Sequence, residues 1–232
     1  MKKLFGIIAI IFTGSVLSAC GNTENETQDS SETGKELASS ALKEEDTEKF
    51  GKTLVVYFSM PETDKPENMT EEEENSAVVI DGKVLGNTQY VAQTIQDQVG
   101  AEIFRIEPEK PYPTDHEELV DLASKEQEEK ARPALKEQVA NMDEYDTIFL
   151  GYPNWWGDMP MILYSFLDDT DLAGKTIIPF NTHGGSGFSS TIDSIKKEES
   201  EATVIEEGYS VSRDEVDESK DAVIKWLSDL TI

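Results

Sequence analysis

The sequence predicts an α/β fold in which a parallel sheet is covered by helices on both faces and wound outward from its centre. Two observations carry that prediction. Short apolar runs alternate with helical patterns between Thr53 and Leu230, as they do where parallel strands are joined through helices. Three of the runs are almost continuously hydrophobic, as strands buried on both faces must be, and lack the alternation of a half-exposed sheet.

The first strand is Thr53–Phe58, a β-branched and aromatic run that suits a pleated interior. A helix follows over Thr88–Val99, with Tyr90, Val91, Ile95 and Val99 on its apolar side. The second strand is Glu102–Ile106, and the next helix Asp115–Lys130. Thr147–Tyr152, Lys175–Phe180 and Ala202–Ile205 supply the remaining strands. Helices over Pro160–Leu167 and Ser189–Glu198 lie between them. The chain closes on a helix over Arg213–Leu230, where Val216, Val223, Trp226, Leu227 and Leu230 fall at helical spacing. The region 50–232 is long enough for one domain with a full core.

The residues before it read differently. Lys2 and Lys3 precede the apolar run Leu4–Phe12, the layout of a secretory signal over 1–19. Thr13-Gly14-Ser15 interrupts the run before it reaches the ~20 apolar residues of a membrane span. Leu17-Ser18-Ala19-Cys20-Gly21 resembles the lipobox of bacterial lipoproteins and holds the only cysteine of the chain, so Cys20 is the expected lipidation site. Residues 20–49 are then a polar, acidic tether with too few large apolar residues to offset their ordering entropy. The resulting expectation is a lipid-anchored protein on the extracytoplasmic face of the membrane.

The formal net charge is -28, and loss of Lys2 and Lys3 with the leader makes the mature chain more negative still. Nucleic acid and anionic head groups attract basic patches, so both are poor partners. No cysteine pair exists to form a disulfide, and stability must come from packing. The two histidines, His116 and His183, belong to no cluster with metal-ligand spacing.

Ligands of such folds bind beyond the carboxyl ends of the strands, and three of those ends carry unusual loops. Ser59 follows the first strand, and a helix opens at Gly86-Asn87-Thr88. Small residues, hydroxyls and free amides at a helix N-terminus suit a phosphate, although Asn87 or Thr88 would also serve as a simple helix cap. Between them lies an insert over 60–85, acidic at first and then apolar around Asp81-Gly82, a hairpin signal. It must loop out and return if Ser59 and Thr88 are to share one anion. The third strand ends in Gly151-Tyr152-Pro153-Asn154-Trp155-Trp156-Gly157-Asp158-Met159-Pro160. Two adjacent tryptophans in so tight a loop cannot both face the core, which leaves one for a flat ligand, or the pair for a structural corner. The fourth ends in Asn181-Thr182-His183-Gly184-Gly185-Ser186-Gly187-Phe188, where glycines let the backbone approach a ligand closely. His116 reads as a surface or capping residue. His183, in the predicted ligand loop, is the candidate for a direct catalytic role or for positioning a ligand by a hydrogen bond.

This ordered set, with Tyr57-Phe58, Tyr112-Pro113, Arg132-Pro133 and Gly174-Lys175-Thr176, resembles the flavodoxin-like family. The nearest likeness is to its bacterial branch with Tyr-Pro-Asn-Trp-Trp-Gly and Thr-His-Gly-Gly-Ser-Gly loops. The resemblance implies a five-stranded sheet in the order 2-1-3-4-5, FMN as cofactor, and electron transfer or FMN-dependent reduction of quinone-like acceptors. It implies that Ser59, Asn87 and Thr88 hold the phosphate, beside Met60 and Gly86. Pro153, Asn154, Trp155, Trp156 and Gly157 would lie along the isoalloxazine ring. Thr182, His183, Gly184, Gly185, Ser186 and Gly187 would border its other edge. A membrane redox partner or a small quinone would exchange the electrons. A lipoprotein that keeps the fold but binds no flavin is the alternative.

Overall fold

The computed structural model describes Leu42 and residues 47–232. The expected signal segment, Cys20 and most of the expected tether fall outside these residues. Strand β1 (Thr53–Tyr57) is buried along its whole length. It sits at the centre of a parallel sheet between β4 (Glu102–Arg105) and β5 (Thr147–Pro153). Strand β6 (Thr176–His183) pairs with β5, and β7 (Thr203–Val204) and β8 (Tyr209–Ser212) both pair with β6. Counting β7 and β8 as one interrupted strand, the order is the expected 2-1-3-4-5.

Successive residues of each strand face opposite sides, which divides the core in two. Leu54, Val56, Ile148, Leu150, Tyr152 and Ile177 pack on the side of α3 (His116–Glu129), α4 (Met161–Asp169) and α5 (Thr191–Glu198). Val55, Tyr57, Phe149, Ile178 and Phe180 pack on the side of α2 (Asn87–Val99) and α6 (Lys220–Asp229). Helix α4 buries every residue from Met161 to Leu167, which is why its sequence reads as a nearly unbroken apolar run. The central strands leave Gly151 no room for a side chain, since a Cβ there would lie 2.1 Å from the Phe180 ring.

Two expectations need correcting. The predicted strand Ala202–Ile205 is only half of the fifth strand, which resumes at Tyr209 after the chain swings out around Gly208. A Cβ on Gly208 would meet the Pro179 carbonyl at 2.5 Å, so only glycine lets the strand return. The predicted helix Arg213–Leu230 begins at Lys220, because residues Arg213–Glu215 form a 3-10 turn capped by the Ser212 hydroxyl. The insert is ordered by α1 (Glu71–Ser76) and by the hairpin β2 (Ala77–Ile80) and β3 (Lys83–Gly86). Asp81 and Gly82 both take positive φ, 50° and 74°, the turn that matches the twist of a two-residue hairpin. The first residues of the domain are held too. Phe50 is buried, and Lys49 Nζ donates to the carbonyls of Leu227, Ser228 and Leu230 at the end of α6.

Glu199, which caps α5, gives this fold a pH signature. Burial, and then the charges of Asp168, Asp171 and Glu198, raise its carboxyl to about 7. A carboxyl raised in the folded state favours folding while protonated, and that contribution is lost as pH rises from its ordinary range through about 7. Glu199→Gln should therefore melt with the wild type at pH 4 and several degrees above it at pH 8, as followed by circular dichroism. Identical melting at both pH values would show that the carboxyl is not perturbed.

Candidate functional site

One cleft opens at the carboxyl ends of β1, β5 and β6, with a volume of about 260 Å³. Ser59, Met60, Asn87, Thr88, Pro153, Asn154, Trp155, Trp156, Thr182, His183 and Gly184 all line it. The structure thus gathers the three predicted loops around a single space. The other predicted site residues, Gly86, Gly157, Gly185, Ser186 and Gly187, do not line it.

The anion-binding corner is assembled across the insert. Gly86 is the N-cap residue of α2 and has no side chain to cap with. Ser59 supplies the missing oxygen, its Oγ accepting the Gln89 amide at 3.3 Å from thirty positions away. A Cβ on Gly86 would fall 2.1 Å from that oxygen, so the approach requires glycine. Gln89 Oε1 in turn accepts the Gly86 amide at 3.2 Å. The amides of Asn87 and Thr88 open the helix, where no acceptor of the helix itself can reach them. Asn87 Nδ2 donates to the Asn75 carbonyl of the insert at 2.9 Å, while Asn87 Oδ1 is buried with no hydrogen-bond partner. That orphaned acceptor, on a residue that lines the cleft, suits a hydroxyl or N–H of a ligand. Thr88 and Thr182 join their hydroxyls at 2.8 Å and tie this corner to β6.

The tryptophans divide their roles as the tight loop requires. Trp155 packs edge-on against Phe58 and Tyr112, with ring centres 5.5 and 5.8 Å away. Trp156 is 59 % exposed at the tip of a turn in which it and Gly157 both have positive φ. The Trp155 and Asp158 backbones exchange two hydrogen bonds across that turn, at 2.8 and 3.0 Å. So bulky a residue seldom adopts a positive φ, and Trp156 is held there by its Nε1–H donating to the Val120 carbonyl of α3 at 3.3 Å.

Asn154 couples this loop to its neighbour. Its Nδ2 donates to the Gly187 carbonyl at 2.9 Å and its Oδ1 accepts the Gly157 amide at 3.0 Å. Asn181 Nδ2 reaches the same Gly187 carbonyl at 2.8 Å. His183 Nδ1 accepts the Gly185 amide at 2.8 Å, which leaves Nε2 to carry the proton of the neutral ring. Burial lowers the His183 pKa, against the opposing charge of Glu215.

Sequence reasoning missed eight residues of the wall, of which Glu62, His116 and Arg213 carry ionisable side chains. His116 opens α3 as expected, but Asp115 does the capping, and the imidazole turns to the Glu62 carboxylate. Burial raises the Glu62 carboxyl above its ordinary range, and the hydrogen bond from His116 offsets part of that rise. Arg213 covers Gly184, where a Cβ would lie 3.3 Å from the guanidinium. The alternation of Tyr209-Ser210-Val211-Ser212 was the signal that would have placed Arg213 at a strand end. Nothing in the local sequence marked Glu62. Among the described residues no group of His, Cys, Asp and Glu side chains is placed to hold a metal, and no helix is long and apolar enough to cross a membrane.

A flavodoxin family model matches residues 77–230. No curated protein matches the chain. Among solved structures, a putative flavoprotein from Bacteroides uniformis is 28 % identical, with a TM-score of 0.58 over 78 % of this chain and 100 % of that one. A putative flavoprotein from Bacteroides eggerthii is 26 % identical, with a TM-score of 0.53 over 74 % of this chain and 97 % of that one. A flavoprotein from Lactobacillus acidophilus, solved in complex with FMN, shares the fold at 20 % identity and a TM-score of 0.51, over 72 % of this chain and 97 % of that one.

If Asn154 is the tie between the two loops, Asn154→Ala should cost about 1–3 kcal/mol, the loss of two or three partly buried hydrogen bonds. Amide exchange should quicken at residues 155–158 and 185–189 and stay unchanged in β1 and β5. Uniform protection across both loops would show that they stand independently.

Proposed function

The chain belongs to the flavodoxin family, and from that premise we propose that its cleft binds FMN and works in electron transfer or in reduction of a quinone-like acceptor. The observation that carries this reading is the convergence of three chemically distinct loops on one cleft, with an anion corner at one end and an aromatic turn at the other. The phosphate would rest on Ser59, Asn87, Thr88 and the first amides of α2, where the helix dipole adds to the hydrogen bonds. Met60 and Gly86 flank that corner. Pro153 to Gly157 would follow the isoalloxazine ring, with Trp155 fixed by its aromatic neighbours and Trp156 presented at the rim. Thr182 to Gly187 would border the opposite edge, with His183 offering Nε2–H to the ring or to a substrate. The chemistry FMN supplies when bound is the uptake and release of one or two electrons; the protein positions it and tunes its electronics.

Place and charge narrow the partners. Lipidation at Cys20 would hold the domain by its tether at the extracytoplasmic face. A single acyl chain anchors only marginally, so a stable hold implies the paired chains of a processed lipoprotein. The acidic domain repels an anionic nicotinamide dinucleotide on approach. Electrons would therefore come from a membrane-bound protein or a reduced quinone within reach of the tether, with the exposed Trp156 at the docking edge.

Two measurements test this reading. The full chain should bind FMN at least about tenfold more tightly than riboflavin, since charge-assisted hydrogen bonds to the phosphate contribute about 1.5–3 kcal/mol. Gly86→Ala, which drives Ser59 from its place, should narrow that gap while leaving riboflavin affinity nearly unchanged. Equal affinity for the two flavins in the wild type would remove the phosphate site. Separately, Cys20→Ala should shift the protein from the membrane fraction to the medium or to an unprocessed precursor, and a processed variant still held by the membrane would refute the anchor.

A further inference from the structure

One arrangement on the cleft wall is not needed to bind a flavin. Glu62, in the insert, is only 8 % exposed. Its two carboxylate oxygens each lie 3.1 Å from His116 Nδ1. The insert holds it in place, since its amide donates to the Ser76 hydroxyl at 2.9 Å. Both residues line the cleft with Thr88 and Trp156. A buried carboxylate is costly to desolvate, and an apolar contact would pin the insert to α3 at least as well. The pairing has a chemical consequence. With Glu62 ionised, both of its oxygens accept, so Nδ1 carries the proton and Nε2 is the exchangeable atom of the ring. Nε2 makes no hydrogen bond within the described residues, and the side chain is 45 % accessible.

We propose that Glu62 and His116 form a proton-delivery pair for a two-electron, quinone-like acceptor reduced in this cleft, so that the protein is an oxidoreductase and not only a carrier of single electrons. The proposal rests on the FMN reading above. Converting a quinone to its hydroquinone takes two electrons and two protons. Hydride from reduced FMN brings both electrons and one proton to the acceptor. The second proton comes from His116 Nε2–H to the quinone oxygen, and the neutral imidazole that results regains a proton from solvent at its accessible edge. Glu62 neither gains nor loses a proton; it is a positioning residue that holds Nδ1–H and stabilises the charged ring, as carboxylates do beside general-acid histidines.

The experiment uses the full chain in detergent, with His116→Gln and Glu62→Gln. Nitrogen-15 NMR of the side chains, taken at a pH high enough that both rings are neutral, should show the two histidines in opposite tautomers, His116 protonated at Nδ1 and His183 at Nε2, with or without FMN. Glu62→Gln should abolish the Nδ1–H preference of His116 alone. In anaerobic stopped flow of the FMN-loaded protein, oxidation by para-benzoquinone should slow about 100-fold in His116→Gln, the usual worth of a general acid. Oxidation by ferricyanide, which takes electrons without protons, should hold within twofold, and FMN affinity within threefold. Equal loss with both oxidants, an unchanged quinone rate, or an Nε2–H tautomer for His116 would overturn the pair. Failure of the wild-type chain to bind FMN would overturn the reading on which it rests.

Discussion

The contact between Ser59 Oγ and the first turn of α2 is the constraint on which the rest of the site depends. Gly86 cannot cap its own helix, and the oxygen that does so comes from the other side of a long insert. Every consequence of that geometry is local. The insert must return to its starting point, which the hairpin achieves by pairing Ala77 with Gly86. Gly86 must stay glycine, because Ser59 fills the space of its side chain. The anion corner is thus made of two chain segments that neither could form alone, and α2 carries the result back into the core through Val91 and Ile95.

The opposite end of the cleft is organised by polar ties beside the aromatic packing of Trp155. Asn154 and Asn181 converge on the single carbonyl of Gly187, which ties two loops from neighbouring strands through one acceptor. Trp156 is kept at positive φ by that frame and by Val120. Backbone strain of this kind, on the order of 1–3 kcal/mol, persists only where the surroundings over-determine it. Its effect is to place a large flat ring at the rim, where an ordinary turn residue would leave open solvent.

Much of this was legible in the sequence because the signals were periodic or chemically unusual. The continuous apolar runs at Val55–Val56 and Ile148–Leu150 gave the buried central strands, and Asp81-Gly82 gave the hairpin. The doubled tryptophan had to divide between core and surface, as Trp155 and Trp156 do. What escaped notice depended on distance in sequence. Glu62 and His116 lie fifty-four positions apart, each bland in its own context, and only the fold of the insert makes them a pair. Arg213 was hidden by a boundary: the helical spacing of Val216 and Val223 extended the last helix backward over what is a strand end and a turn.

The interrupted fifth strand has a further meaning. Thr203 stands opposite Thr176, and Tyr209 opposite Phe180, so the chain gains two residues on its neighbour as it passes Gly208. Two is one full period of a strand. Val211 consequently still faces the α2 and α6 layer, whereas a gain of one would have turned it, and every residue after it, to the other side. The bend at 205–208 is therefore phase-neutral. It marks a point where this lineage could lengthen its chain in steps of two without rewriting the core, and where a designed peptide of even length could be grafted on the same terms.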